Sequence, residues 1–359
     1  MNKASEPATA WASLLRQLPA MAGSIVVAGA GALLWRFGNL PLPWLVGSLY
    51  AIALARITGL PLLAPPWARQ GGQWIIGSNM GLYFTSAVLV ELVSHAPLIV
   101  GMAFVSMMMG VAGAMLIVRW RLADRPTAFF SSMPGGASEM ANLSDLWNAS
   151  VDKVAAAHAT RVMLVVLIVP LALTLFGRHG DSNALLHSRS VQWQHFPLMV
   201  AASLGGVGLF KLLRLPNSWV LGTLSAIAAL SVLGLPLSGL PDWLTAGGQM
   251  LIGISLGCRF GPGFLRKAPA FIACVVAVSL VFLAVTASLA FLLAAPMGLA
   301  LPGLVLSFAP GGIAEMSITA SHLNLGVPLV VASHVVRTTI LTLLAPVGFR
   351  IFCRLNGGG

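Results

Sequence analysis

The chain has 359 residues, of which 58% are hydrophobic and only 8% charged, against about 25% charged in a soluble globular domain. Its formal charge is +11, yet the twenty Lys and Arg are scattered in ones, twos and threes, so the charge gives no nucleic-acid surface. Cys258, Cys274 and Cys353 stand alone, with no CxxC pair and no His at ligand spacing, and indicate neither a disulfide framework nor a metal site.

The first 16 residues are polar and carry Lys3 and Arg16; apolar sequence begins near Leu18. Small residues at 28–32 would suit a signal peptidase, but so many apolar runs follow that this segment reads as a retained first helix. Crossing a bilayer takes about 20 helical residues. Ten spans are predicted, near 18–35, 42–57, 71–90, 97–118, 154–177, 196–213, 218–236, 246–260, 269–295 and 326–350. Two more apolar stretches, about 126–148 and 302–324, contain Pro-Gly-Gly and are not counted as full spans. The fold class is an all-α polytopic membrane protein.

Lys and Arg favour cytoplasmic loops. With the N-terminus inside, fifteen basic residues fall on the cytoplasmic side, Arg69 and Arg259 among them, and three (Arg36, Arg178, Arg189) outside. Arg161 and Arg337 fall inside spans. This asymmetry supports ten spans, a multi-pass protein of a bacterial inner membrane, and cytoplasmic termini.

The chain repeats itself. "LPLPWLVGSLYAIAL" at 40–54 matches "LPNSWVLGTLSAIAA" at 215–229, and "GGQWIIGSNMG" at 71–81 matches "GGQMLIGISLG" at 247–257. At a shift of 176 residues Ser131, Pro134, Gly135, Gly136, Glu139, Met140, His158, Arg161 and Pro170 meet Ser307, Pro310, Gly311, Gly312, Glu315, Met316, His334, Arg337 and Pro346. Shared hydrophobicity does not place Glu, His and Arg in register. Five spans per half is an odd number, so the second half enters the membrane from the opposite face. The predicted organisation is a tail at 1–17, a first repeat at 18–177, an external linker at 178–195, a second and inverted repeat at 196–352, and a tail at 353–359. Inverted repeats are common among secondary transporters.

Pro and Gly-Gly inside one helix would cost about 3 kcal/mol and up to about 1 kcal/mol per glycine. The cost vanishes if the helix stops there. Each PGG segment is therefore predicted to be a re-entrant hairpin of two half-helices, with the tips meeting near the midplane, where irregular backbone is tolerated only when buried in protein or lining a cavity. The freed N–H groups of Gly135–Gly136 and Gly311–Gly312, at helix starts, attract anions. Glu139 and Glu315 lie in the first turn, where they can cap the helix and can also serve a substrate, ion or proton, because ionisable groups at membrane depth mark pathways. Arg161 and Arg337 need a counter-charge, and the Glu of the same half is the expected one. His158 and His334, three residues before each Arg, read as core residues or as proton carriers. Gly77, Gly81, Gly253 and Gly257 have the spacing of close helix contacts. The substrate- or ion-binding set is Ser131, Pro134, Gly135, Gly136, Glu139 and Arg161 with Ser307, Pro310, Gly311, Gly312, Glu315 and Arg337.

On the two "PGG..EM" motifs, the "GGQ" segments and the "PWLVG" and "SWVLG" helix starts, the sequence resembles the membrane AbrB family, built from a tandem AbrB duplication, over about 18–352. That resemblance implies a membrane protein and brings two labels, regulation of gene expression and ammonia monooxygenase. Neither follows from these residues: there is no His, Cys or carboxylate cluster for a metal and no soluble basic domain for DNA. The family is distinct from the small soluble DNA-binding AbrB regulators. The layout is also similar to ion-coupled symporters of the citrate and glutamate type, in architecture alone. The expected function is secondary transport of a small polar or anionic solute, coupled to H⁺ or Na⁺, with a membrane sensor or regulator as the alternative. No enzyme activity, cofactor, metal or nucleic-acid partner is expected. The expected partners are the lipid bilayer and a small-molecule or ion ligand, and a homodimer is compatible with the sequence without being required by it.

Overall fold

The computed structural model describes residues 6–175, 190–263 and 268–355. The extreme ends of both predicted tails, most of the 178–195 linker with Arg178 and Arg189, and the loop residues Arg266 and Lys267 lie outside the described residues.

Fifteen helices and no strand are found among the described residues. The first eight are α1 (Glu6–Phe37), α2 (Pro43–Ile57, opening with a π-helical turn over Pro43–Gly47), α3 (Ala68–Gly81), α4 (Ser86–Ser94), α5 (Ala96–Arg119), α6 (Arg125–Ser132), α7 (Ala137–Asp145) and α8 (Val151–Leu175). Seven follow in a closely similar order: α9 (Phe196–Leu212), α10 (Ser218–Val232, opening with a π-helical turn over Ser218–Gly222), α11 (Asp242–Gly257), α12 (Pro269–Met297), α13 (Leu301–Phe308), α14 (Ile313–His322) and α15 (Val327–Leu355).

Five helices are long and apolar enough to cross a membrane: Gln17–Phe37 of α1, then α5, α8, α12 and α15. Their outer faces leave large apolar side chains uncovered, such as Leu34 (73% exposed), Phe291 (69%) and Leu343 (70%), as lipid-facing surfaces require. The stretch predicted as one span at 71–90 is broken, its two helices together apolar enough to cross a membrane. These are α3 and α4, bent 92° apart. The amides of Leu82, Tyr83 and Phe84 turn back to the carbonyls of Asn79, Met80 and Gly81, and Thr85 caps the new helix by accepting from Val88 N–H. A tight turn followed by an N-cap residue restarts the helix in a new direction. The predicted polar tail is also helical from Glu6 onward.

The helices form two groups. In one, α3 packs on α10 and α11 on α2, with α1 beside α2 and α9 beside α10. Glycines set these contacts. A Cβ at Gly77 would lie 2.8 Å from Val220 O, one at Gly253 2.8 Å from Leu45 O, and one at Gly72 2.8 Å from Gly248 O, where α3 and α11 cross. The second group holds α5–α8 and α12–α15, with α5 on α15 and α8 on α12. Each group draws on both halves of the chain, so the halves interleave.

Candidate functional site

Each PGG stretch interrupts a helix as its composition requires. Met133 and Gly136 between α6 and α7, and Gly312 between α13 and α14, have extended backbone, and Ala309 leaves the helical region at ψ 139°. The flanking helices have 8 and 9 residues in the first case and 8 and 10 in the second, about 12–15 Å each at 1.5 Å per residue.

The rest of the motif follows from contacts within it. Gly136 and Gly312 are the N-caps of α7 and α14, and Glu139 and Glu315 are the third helical residues. Each Glu folds back so that a carboxylate oxygen occupies the place a Cβ of the glycine would take. Only glycine leaves room for this fold-back. The preceding glycines meet the methionines: a Cβ at Gly135 would lie 2.8 Å from Met140 Cε, and one at Gly311 2.7 Å from Met316 Cγ. Both methionines are fully buried.

The tips are held from behind by α8 and α15. Arg161 Nη1 donates to Ser132 O (3.3 Å) and Nη2 to Met133 O (3.2 Å). Arg337 Nη1 donates to Ala309 O and Nη2 to Gly311 O, both at 2.6 Å. Each guanidinium also bonds Nδ1 of the histidine one turn before it, at 2.7 Å to His158 and 3.0 Å to His334. Guanidinium only donates, so Nδ1 must accept and Nε2 carries the hydrogen. Nε2 then donates to Phe130 O (3.0 Å) or Leu306 O (2.9 Å). The expected Glu–Arg pair within each half is thus replaced by Arg–carbonyl clamps, because the helix break frees carbonyls beside each Arg. The expectation that His158 and His334 carry protons meets rings with both nitrogens already bonded.

Both tips line one cavity of about 80 Å³, which contains Gly135, Gly136, Glu139, His158 and Arg161 from the first and Pro310, Gly311, Gly312 and Glu315 from the second. It sits at the junction of the two helix groups, with α3, α11 and the π-helical turn of α10 forming its other wall. Ser131, Pro134, Ser307, His334 and Arg337 do not line it. Ser307 donates to Gly303 O at 2.8 Å. Residues that sequence reasoning did not select complete the wall: Arg69, Gln73, Asn217, Ser255, Arg259 and Thr338. Arg69 and Arg259, counted from the sequence among the cytoplasmic-side charges, line this cavity. Their charges act on Glu315, and Arg69 Nη1 donates to Ser138 Oγ at 2.9 Å.

Two polar atoms at the cavity are buried without a partner, Glu139 Oε2 and Arg161 Nε. Eight further buried polar atoms among the described residues, Arg337 Nε away from the cavity among them, also lack a partner. Among the described residues no three His, Cys, Asp or Glu side chains gather as a metal site would need. The cavity meets a larger space of about 620 Å³, lined by Asp152, Lys153, Phe271 and Ile272, and the two share Ala137 and Arg259.

Compared with known proteins, residues 44–353 match the AbrB family, described as "Transition state regulatory protein AbrB". The chain is 26% identical over 358 residues to "Uncharacterized protein YhjN" of Bacillus subtilis (strain 168), covering 93% of each chain. It is 27% identical over 321 residues to "Putative regulator AbrB" of Escherichia coli (strain K12), covering 86% of this chain and 89% of the relative.

Proposed function

The chain belongs to the AbrB family, and we propose that it is a secondary transporter of a small polar or anionic solute, working by alternating access with H⁺ or Na⁺ coupling. The observation that carries this reading is that two separate PGG tips end in one cavity at the junction of two helix groups. A site between groups that can rock against each other is what alternating access needs.

In this reading the halves are two inverted five-span repeats of a bacterial inner-membrane protein with both termini cytoplasmic, and each PGG segment is re-entrant. Glu139 and Glu315 take the coupling cation or proton while capping their helices. Gly135–Gly136 and Gly311–Gly312 offer backbone N–H groups to the solute, and Arg161 reaches it from α8. Arg337, His158 and His334 position the tips. No chemical step is assigned to the protein, and its partners are the bilayer and the solute.

The test is gradient-driven uptake into proteoliposomes of labelled small acids, amines and amino acids. Flux of at least one solute is expected, abolished by Glu139→Gln and by Glu315→Gln in protein that stays folded. Full flux in the double variant would sink the site assignment. A second reading, a membrane sensor that affects gene expression indirectly, is favoured by the relative named a regulator. It predicts a partner crosslinked at the cytoplasmic loops and no flux.

A further inference from the structure

We infer that this structure is the inward-open state of the transport cycle. The space of about 620 Å³ beside the cavity is the solute's route from the cytoplasm. The outward route is shut along α14 and bolted by the bond between Tyr83 and Ser321. The inference rests on the proposed transport function and its inverted halves, and assigns the open route and the closed one.

The two hairpins supply the comparison. α7 and α14 carry the same motif and meet at one cavity. On α7, Ala137 lines both the cavity and the larger space, and Ser138 and Ala141 line the larger space. Of its nine residues only Met140 and Ser144 are buried. Charged groups follow the same route. Arg259 lines both spaces, and Lys153 and the exposed Asp152 line the larger one.

On α14 the matching stretch is sealed. Ala314, Glu315, Met316, Ser317, Ile318, Thr319 and Ala320 are all buried. Glu315 lines the cavity, while His322 lines a separate space of about 480 Å³ with Arg36 and Asp242. The two spaces share no lining residue. The bend between α3 and α4 helps to cover this helix. Phe84 belongs to the apolar cluster that holds Met316, Ile318 and Ala320, with Tyr83 and Leu92 packed against it. The Tyr83 and Ser321 hydroxyls share a hydrogen bond of 2.9 Å. At a shift of 176 the counterpart of Tyr83 is Arg259. The position that bolts one hairpin thus lines the open route at the other. In alternating access between two inverted halves, one route shuts as the other opens. Breaking the Tyr83–Ser321 bond belongs to the step that opens the outward route.

The experiment is cysteine labelling of the full chain in membrane vesicles of each orientation, with a charged, membrane-impermeant methanethiosulfonate. Cys258, Cys274 and Cys353 are first replaced by Ser. The counterpart variants Ala141→Cys and Ser317→Cys are then compared. Ala141→Cys is expected to react fast from the cytoplasmic face, and Ser317→Cys slowly and from the outer face alone. Adding Tyr83→Phe should raise the Ser317→Cys rate about two- to ten-fold, the shift that one neutral hydrogen bond is worth, without raising the Ala141→Cys rate. Ser321→Ala removes the same bond from the other side and should act alike. Equal rates at the two positions overturn the inference, as does faster reaction of Ala141→Cys from the outer face. So does a Ser317→Cys rate that neither bond-breaking variant changes, or a rise at both positions, which marks general loosening. Uptake measured on the same preparations separates the two claims. The expected labelling without flux of any solute removes transport and keeps a vestibule open to one face. Flux with equal labelling at the two positions keeps transport and removes the state assigned here.

Discussion

The two PGG tips share their letters and differ in how they are held. At the second, Arg337 grips the carbonyls of Ala309 and Gly311 at 2.6 Å and stays out of the cavity. At the first, Arg161 grips one to two residues further back, at 3.2–3.3 Å, and faces the cavity. The carboxylates differ in the same sense. Glu315 is 8% exposed and lies in the field of Arg69 and Arg259, while Glu139 is half-buried with Oε2 unpartnered. Behind the tips the order reverses. Phe129 packs on Phe130, Phe349 and Phe352 at ring distances of 5.3–5.5 Å. The matching residues at a shift of 176, Val305 for Phe129 and Leu173 for Phe349, line an apolar space of about 390 Å³. One tip is therefore clamped at its backbone and loose behind, the other clamped loosely and packed behind. The two motifs share their local fold and differ in what supports it.

The largest expected effect tests the clamps. Arg337→Met leaves two buried carbonyls and His334 Nδ1 without a donor, a loss of about 3–5 kcal/mol. Thermal unfolding in detergent should show it as a large fall in midpoint. Arg161→Met should cost less, because its bonds are longer and cavity water can replace them, yet it should remove solute binding. The opposite order of stabilities would break the comparison.

Next is the packing behind the first tip. Phe129→Val removes the ring that three other Phe touch, and large-to-small core changes of this kind cost about 2–4 kcal/mol. A loss under about 1 kcal/mol would mean that the aromatic cluster does not hold that tip. Gly136→Ala and Gly312→Ala place a Cβ on the folded-back carboxylate, and overpacking costs about 1–3 kcal/mol. The cost should be greater at Gly312, since buried Glu315 has less room to leave than Glu139. Equal effects would argue that the two caps are equivalent.

The duplication explains what could be read from sequence and what could not. Helix breaks at PGG, the Glu in the first turn and the Gly77 and Gly253 contacts were legible, because local sterics dictate them and both halves repeat them. Two of the three arginines on the cavity wall, and Asn217, were not. Position 69 is Arg where its counterpart is Thr245, and position 259 is Arg where its counterpart is Tyr83. Asn217 matches Leu42 at a shift of 175. Repetition marks the shared scaffolding and leaves out the asymmetric residues that line the cavity. The Arg–carbonyl clamps were missed for another reason. A sequence shows acids and bases but hides the backbone acceptors that a broken helix frees.

The smallest effect in energy is the most telling about motion. Val305→Phe gives the second tip the ring that Phe129 gives the first, and the apolar space beside Val305 can receive it. Filling such a space typically adds about 0.5–2 kcal/mol, read as a modest rise in unfolding midpoint. If the second tip shifts during the cycle, the added ring should slow uptake while leaving solute affinity unchanged. If uptake is untouched and the midpoint rises, α13 is static and motion must reside in the first tip, where the longer Arg161 bonds are the easier ones to break.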